Sequence, residues 1–187
     1  MTLLISIISG VIFLMLIGII SMYNGLIRRR NEVDNAFAGM DVQLKKRYEL
    51  IPNLVATVKQ YAIHEKELLS NITEMRAQAH SGKLTNNEKV ALDNQISAGM
   101  KNILVAVEGY PDLKANDNFI NLQRSLNEIE AQISAARRTY NAVITLYNNG
   151  IQTFPRNIIA GMMNMQRKEV FVIPEVEREN VNVKTLF

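Results

Sequence analysis

From Leu3 to Ile27 the chain carries no charged side chain, and the first charge it meets is Arg28. About twenty such residues suffice to cross a hydrocarbon core about 30 Å thick, because a helix satisfies its own backbone groups where water cannot. A cleaved signal peptide is the competing reading, with a basic leading region, a shorter apolar run and a small-residue cleavage site. Here only Met1-Thr2 precedes the run, without Lys or Arg, the run is too long, and no alanine pair follows it. Residues 1–27 therefore read as a retained transmembrane anchor in contact with the lipid bilayer. Arg28, Arg29 and Arg30 flank its C-terminal end. By the positive-inside rule they and the domain after them lie in the cytoplasm, with the N-terminus outside. Ser6, Gly10, Gly18, Ser21 and Gly25 fall within about a third of the helix circumference, a small-residue face on which a second helix could pack.

Beyond the arginines, apolar residues recur at Val33, Phe37, Met40, Leu44, Ile51, Leu54, Val58, Leu68 and Ile72. These steps of three, four and seven are a helical stripe. Pro52 falls inside it, but no turn-forming residue precedes the proline. The expectation is one long helix, kinked near Tyr48–Pro52, ending at His80-Ser81-Gly82. Thr85-Asn86-Asn87-Glu88 matches a capping box and opens a second helix with Leu92, Ile96, Ile103 and Val107 on one face. A third helix follows Asn116-Asp117, with a seam from Phe119 through Tyr140, Val143, Tyr147, Ile151 and Phe154 to the stop at Pro155. Asn157 to Met165 suggests a short fourth helix. After Gln166 the residues Val170 to Ile173 and Val181-Asn182-Val183 look extended. The fold class is all-α: a transmembrane helix (1–27) continuing into an up-and-down bundle of three long helices and a short fourth (28–165), then an extended tail (166–187).

The third helix outruns the second by roughly 20 Å at about 1.5 Å per residue. The seam from Tyr140 to Phe154 then needs a cover. Either the short fourth helix folds over it or a second copy of the chain does, and with the small-residue face this points to a homo-oligomer.

The absence of cysteine rules out disulfides, thiolate metal sites and a lipid-modified cysteine. His64-Glu65 invites comparison with a zinc-peptidase helix, yet the second histidine would stand at position 68, which is Leu68. No glycine-rich phosphate loop, nucleophile elbow or carboxylate cluster is present, so no catalytic residue, metal, cofactor or small-molecule substrate is expected. The basic clusters at 28–30 and 45–47 lack interleaved aromatics, which argues against nucleic acid. Two charges interrupt the long stripe, Arg47 and Glu65; 18 residues apart, they stand about 27 Å from each other and cannot pair. Glu130 and Arg137 flank the third-helix seam and are plausible partners. Such residues either fix register between helices or snorkel outward along the stripe edge.

Five stretches together carry a resemblance: Arg47 to Val55 (RYELIPNLV), Tyr61 to Glu65 (YAIHE), Tyr110 to Asn116 (YPDLKAN), Ala136 to Asn141 (ARRTYN) and Phe154 to Met162 (FPRNIIAGM). In this order, and over about Tyr23 to Met163, the chain resembles the LemA family of bacterial membrane proteins. The resemblance implies a membrane anchor, a helical cytoplasmic bundle and no enzyme, at the bacterial inner membrane. Some members are similar to proteins of magnetosome membranes, and others sit beside membrane peptidases of the HtpX type. The tail after Met165 departs from the family's usual aromatic ending. The function expected is a non-catalytic, membrane-anchored scaffold that self-associates and presents a cytoplasmic surface to partner proteins. The alternative is an accessory subunit of a membrane peptidase or envelope-stress system.

Overall fold

The computed structural model describes residues 1–62 and 64–171. Every regular element among them is helical: α1 (Thr2–Lys59), α2 (Lys66–Ala79), α3 (Asn86–Val107), α4 (Pro111–Lys114), α5 (Asp117–Gln152) and α6 (Arg156–Met162). The all-α expectation holds. Most of the extended tail lies outside the described residues; Val170 and Phe171, within them, adopt no regular structure.

α1 stays helical through Pro52 and ends at Lys59, so the helix expected to reach His80 is in fact two. A proline withholds an amide from the carbonyl four residues earlier. That carbonyl belongs to Tyr48, and Nε of Arg76 donates to it at 2.9 Å. The proline is thereby tolerated, and the break falls later, where the amides of Tyr61 and Ala62 both turn to the Val58 carbonyl at 3.1 and 2.9 Å. A gap in the apolar stripe between Val58 and Leu68 marked this break. The buried stripe resumes in a new phase on Leu69 and Ile72, while Leu68 is only half-buried. α2 thus folds back on α1, bringing the rings of His80 and Tyr48 to 6.1 Å.

The described chain forms two compact units, Met1–Met40 with Ala136–Val170, and Asp41–Ala135 with Phe171. In the second unit, Leu44, Ile51, Leu54 and Val58 of α1 join Ile72 of α2, Ile96 and Ile103 of α3, and Phe119, Leu126 and Ile133 of α5 in the core. The capping box forms as its sequence indicated: Thr85 Oγ1 accepts from the Glu88 amide at 3.3 Å and the Glu88 carboxylate accepts from the Thr85 amide at 2.7 Å. These bonds to Thr85, backbone first, hold the Glu88 carboxyl below its usual range. Gly82, at φ 68°, supplies the left-handed turn between α2 and α3. Asn116 Oδ1 accepts from the amides of Asn118 and Phe119 and starts α5.

In the first unit α1 and α5 run antiparallel. Phe37 meets Tyr140 edge to face at 5.6 Å, and Arg29 Nη1 donates to the Leu146 carbonyl at 2.8 Å. A Cβ at Gly150 would stand 2.9 Å from Arg29 Cδ, so a side chain there would have to displace the arginine from this crossing. Tyr140, Tyr147 and Ile151 are buried, Val143 is half-buried, and Phe154 is 81% exposed. Tyr140, Tyr147 and Ile151 of the seam assigned to an oligomer are therefore covered inside one chain, while Phe154 is not. Their cover is α1 itself, whose buried Leu26, Val33 and Phe37 share this unit with Ala160 of α6. Only the inner face of α6 contributes, because Ile158 and Met162 point outward. The first tail residues are also docked: Tyr147 Oη donates to the Gln166 carbonyl at 3.0 Å, and Asn148 Nδ2 to the Lys168 carbonyl at 2.8 Å. Lys168 Nζ reaches Asp34 at 3.0 Å. Burial and the Asp34 carboxylate push the Tyr140 hydroxyl above its ordinary range; at Tyr147 burial dominates and Arg30 pulls the other way.

Candidate functional site

The second unit holds a charged cluster in its core. Arg47 of α1 and Asp93 of α3 are each 1% exposed and form an ion pair through Arg47 Nη2 and Asp93 Oδ1. Arg47 Nη1 donates to Ser97 Oγ at 2.9 Å and to Glu130 Oε2 of α5 at 2.6 Å, and Nη2 reaches the Asp93 carbonyl at 3.2 Å. Tyr48 Oη lies 3.5 Å from Asp93 Oδ1. One guanidinium therefore ties three helices, as its rigid fork of donors allows. Of the two alternatives for Arg47, burial in a register-fixing pair is what the chain adopts. Asp93 and Ser97 were missed by sequence reasoning. The available signal was a carboxylate inside the α3 stripe, beside Leu92 and three residues before Ile96, at a position where a hydrophobe is expected.

The other interrupting charge has a different environment. Glu65 stands in the break between α1 and α2, and Oε1 accepts from Tyr110 Oη at 3.4 Å, so its partner is no arginine of α5. Partial burial first, then the Glu65 carboxylate, raises the Tyr110 hydroxyl above its usual range. Asn116 Nδ2 donates to Tyr61 Oη at 3.0 Å. The stretches Tyr61 to Glu65 and Tyr110 to Asn116, distant in sequence, thus meet at one end of this unit. Beside them an open groove of 560 Å³ runs between the end of α1 and α2, over Val55, Ala62, Leu69, Thr73 and Ala77, with Lys59, Lys66 and Glu74 on its rim.

The remaining sequence-derived positions are more dispersed. Glu130, one of the two partners expected for the interrupting charges, gives its carboxylate to Arg47, while Arg137, the other, sits half-buried in the first unit. Arg28 and Arg30 are exposed, whereas Arg29 turns in on α5. Ser6, Gly10 and Ser21 are exposed and Gly18 and Gly25 half-exposed, and a Cβ at any of these three glycines would meet nothing within 4 Å. The start of α1 is apolar and long enough to cross a membrane, and none of its most apolar window is buried. Among the described residues no three His, Asp or Glu side chains gather as metal ligands would.

The sequence profile of the LemA family matches residues 36–185. The chain belongs to the LemA family. It is 28% identical over 179 residues to Protein LemA of Metamycoplasma hominis, covering 93% of this chain and 82% of that protein. It is 23% identical to Magnetosome protein MamQ 2 of Paramagnetospirillum magneticum, covering 89% and 70% of the two chains. Magnetosome protein MamQ of Magnetospirillum gryphiswaldense is 22% identical over 80% of this chain and 64% of its own length.

In this LemA-family chain the stretch from Arg47 to Val55 contains both the buried guanidinium and the proline whose orphan carbonyl Arg76 satisfies. Arg76→Met is expected to cost about 1.5 kcal/mol, because it leaves that carbonyl without a charged donor. In a Pro52→Ala background, where residue 52 regains its amide, the same substitution should cost clearly less. Denaturant melts of the four proteins of this cycle measure the difference. Equal costs in both backgrounds would show that Arg76 acts elsewhere.

Proposed function

We propose that this protein is a non-catalytic scaffold anchored in the bacterial inner membrane by α1, with its helical units in the cytoplasm. The observation that carries this reading is the continuity of α1: one helix, Thr2–Lys59, bears the exposed apolar span and then core positions of both units. A rigid helix shared in this way couples whatever binds the cytoplasmic units to the bilayer, with no linker between. Arg28 and Arg30, exposed directly after the span, support a cytoplasmic domain. The ionisable side chains of the core serve packing: Arg47, Asp93 and Glu130 neutralise one another across three helices. The groove between α1 and α2 is the surface offered to a partner. Its apolar floor and the rim lysines Lys59 and Lys66 suit an amphipathic helix with an acidic edge. Self-association is assigned to the small-residue face of the span, since Tyr140, Tyr147 and Ile151 of the α5 seam are already buried.

The lack of cysteine makes single-cysteine labelling a clean test. The full-length Val105→Cys variant, at a side chain 65% exposed, should react with a membrane-impermeant maleimide in inside-out vesicles and not in right-side-out ones. The reverse pattern would invert the orientation, and release of the protein by alkaline wash would remove the anchor. Gly10→Cys should cross-link between copies in the membrane, while Ile12→Cys, on the opposite face, should not. Equal cross-linking at both would mean that the small-residue face is no interface.

A further inference from the structure

The turn from Thr153 to Met165 exposes three large apolar side chains at steps of four: Phe154 at 81%, Ile158 at 57% and Met162 at 84%. The inner face of the same turn is occupied, with Ala160 buried and Ile159 and Met163 half-buried. Ile158 and Met162 thus belong to a docked helix rather than to a frayed end, and Phe154 stands in the turn that leads into it. What could cover this row follows from its height along α1. Phe37 opposes Tyr140, and Arg29 opposes Leu146 and Gly150. Carried on to the end of α5 at equal rise, this antiparallel register puts Ile151 about level with Leu26, and Phe154 follows two residues after the helix ends. Burial agrees: Leu26 is fully buried and Met22 and Gly25 half-buried, while nearly every residue before them is exposed. After α6 the chain returns to the level of Tyr147 and Asp34 through Gln166 and Lys168. The turn bearing Phe154, and α6 after it, thus leave α5 where it lies level with the last turns of the apolar span.

We infer that α6 with Phe154 is a second membrane contact, an interfacial wedge that inserts its apolar row between lipid headgroups next to the transmembrane helix. The occupant is the bilayer itself, because the row is continuous with a surface that already requires lipid. The apolar run from Leu3 to Ile27 exceeds the about twenty residues that a hydrocarbon core needs, so its last turns, with Tyr23, reach headgroup level. Arg28 and Arg30, exposed after the span, and Arg156, at the start of α6, are cations available to lipid phosphates. An interfacial helix sinks its apolar face about 5–10 Å into the headgroup and acyl boundary, a depth that matches side chains of this size. With two contacts instead of one, the first unit cannot swivel about the axis of α1. This inference rests on the reading of α1 as membrane-spanning.

The test uses the full-length protein in phospholipid vesicles, with an environment-sensitive fluorophore on single cysteines at Ile158, Met162, Phe13 and Val105. The quenchers are nitroxide lipids labelled near the headgroup or deep in the acyl chain, and iodide in the water. Ile158→Cys and Met162→Cys should lose most fluorescence to the shallow nitroxide, less to the deep one, and much less to iodide than Val105→Cys does. Phe13→Cys should respond to the deep nitroxide. If Ile158→Cys behaves as Val105→Cys while Phe13→Cys is quenched from within the lipid, the wedge is wrong and the anchor stands. If it is shielded from iodide and untouched by either nitroxide, a protein covers the row and the wedge is again wrong. If Phe13→Cys is not quenched by lipid, the anchor itself fails and takes the wedge with it.

Discussion

Replacing Asp93 by alanine is expected to lower stability by about 3–5 kcal/mol, enough to shift the melting temperature by 10 °C or more for a domain of this size. The reason is the fate of Arg47. At 1% exposure its guanidinium has no access to water, and the Asp93 carboxylate is its equally buried counter-ion. Truncation leaves a buried cation facing a methyl group, and the other carboxylate it reaches, Glu130, is 53% exposed and screened by solvent. Glu130→Gln should for that reason cost no more than about 1 kcal/mol. Glu65→Ala belongs to the same mild class, since it removes one long hydrogen bond from Tyr110. The double variant Arg47→Met with Asp93→Leu removes both charges and should recover most of the loss, because an apolar pair of similar volume avoids the desolvation penalty. Denaturant unfolding of the four proteins measures it. If the double variant is as unstable as Asp93→Ala alone, the pair supplies something beyond mutual neutralisation, and this account of the core is wrong.

Tyr147→Asp and Ile151→Asp should each destabilise the first unit by about 4 kcal/mol or more, since a carboxylate there has to enter a packed apolar interface. Both side chains are buried against the chain's own residues, at 3% and 7% exposure. The expected readout is loss of a cooperative melt and rapid proteolysis within the segments 26–40 and 136–168. Phe154→Asp, two residues beyond the end of α5 and 81% exposed, should leave the melt within about 0.5 kcal/mol of the parent. If Tyr147→Asp and Ile151→Asp instead dissociate an assembly while each chain keeps its melt, the seam faces a second copy and the intrachain packing described above is incorrect.

The sequence by itself determined the helical class, because apolar steps of three and four and the lack of alternating strands before Val170 leave no other use for the chain. It also determined the uncharged span with its arginine flank, the capping box at Thr85 and Glu88, the glycine-bearing end after His80, and Arg47 as a charge in the wrong place for a surface residue. Each of these depends on neighbours within a few positions, or on a period that needs no partner. Tertiary structure decided the rest. Whether Pro52 ends α1 depends on Arg76, which lies 24 positions away and reaches the orphan carbonyl only after α2 folds back. Glu130 was legible as a partner of Arg47 from its place beside the α5 seam, but Asp93, 46 residues on, became the buried counter-ion only when α3 docked in one particular register. The seam of α5 was visible as a stripe, but a stripe states only that something covers it. The burial of Tyr140, Tyr147 and Ile151 within one chain comes with the antiparallel register of Phe37 on Tyr140 and the crossing of Arg29 at Gly150. Local periodicity tells a helix which face to bury, and only the packed chain tells it against what.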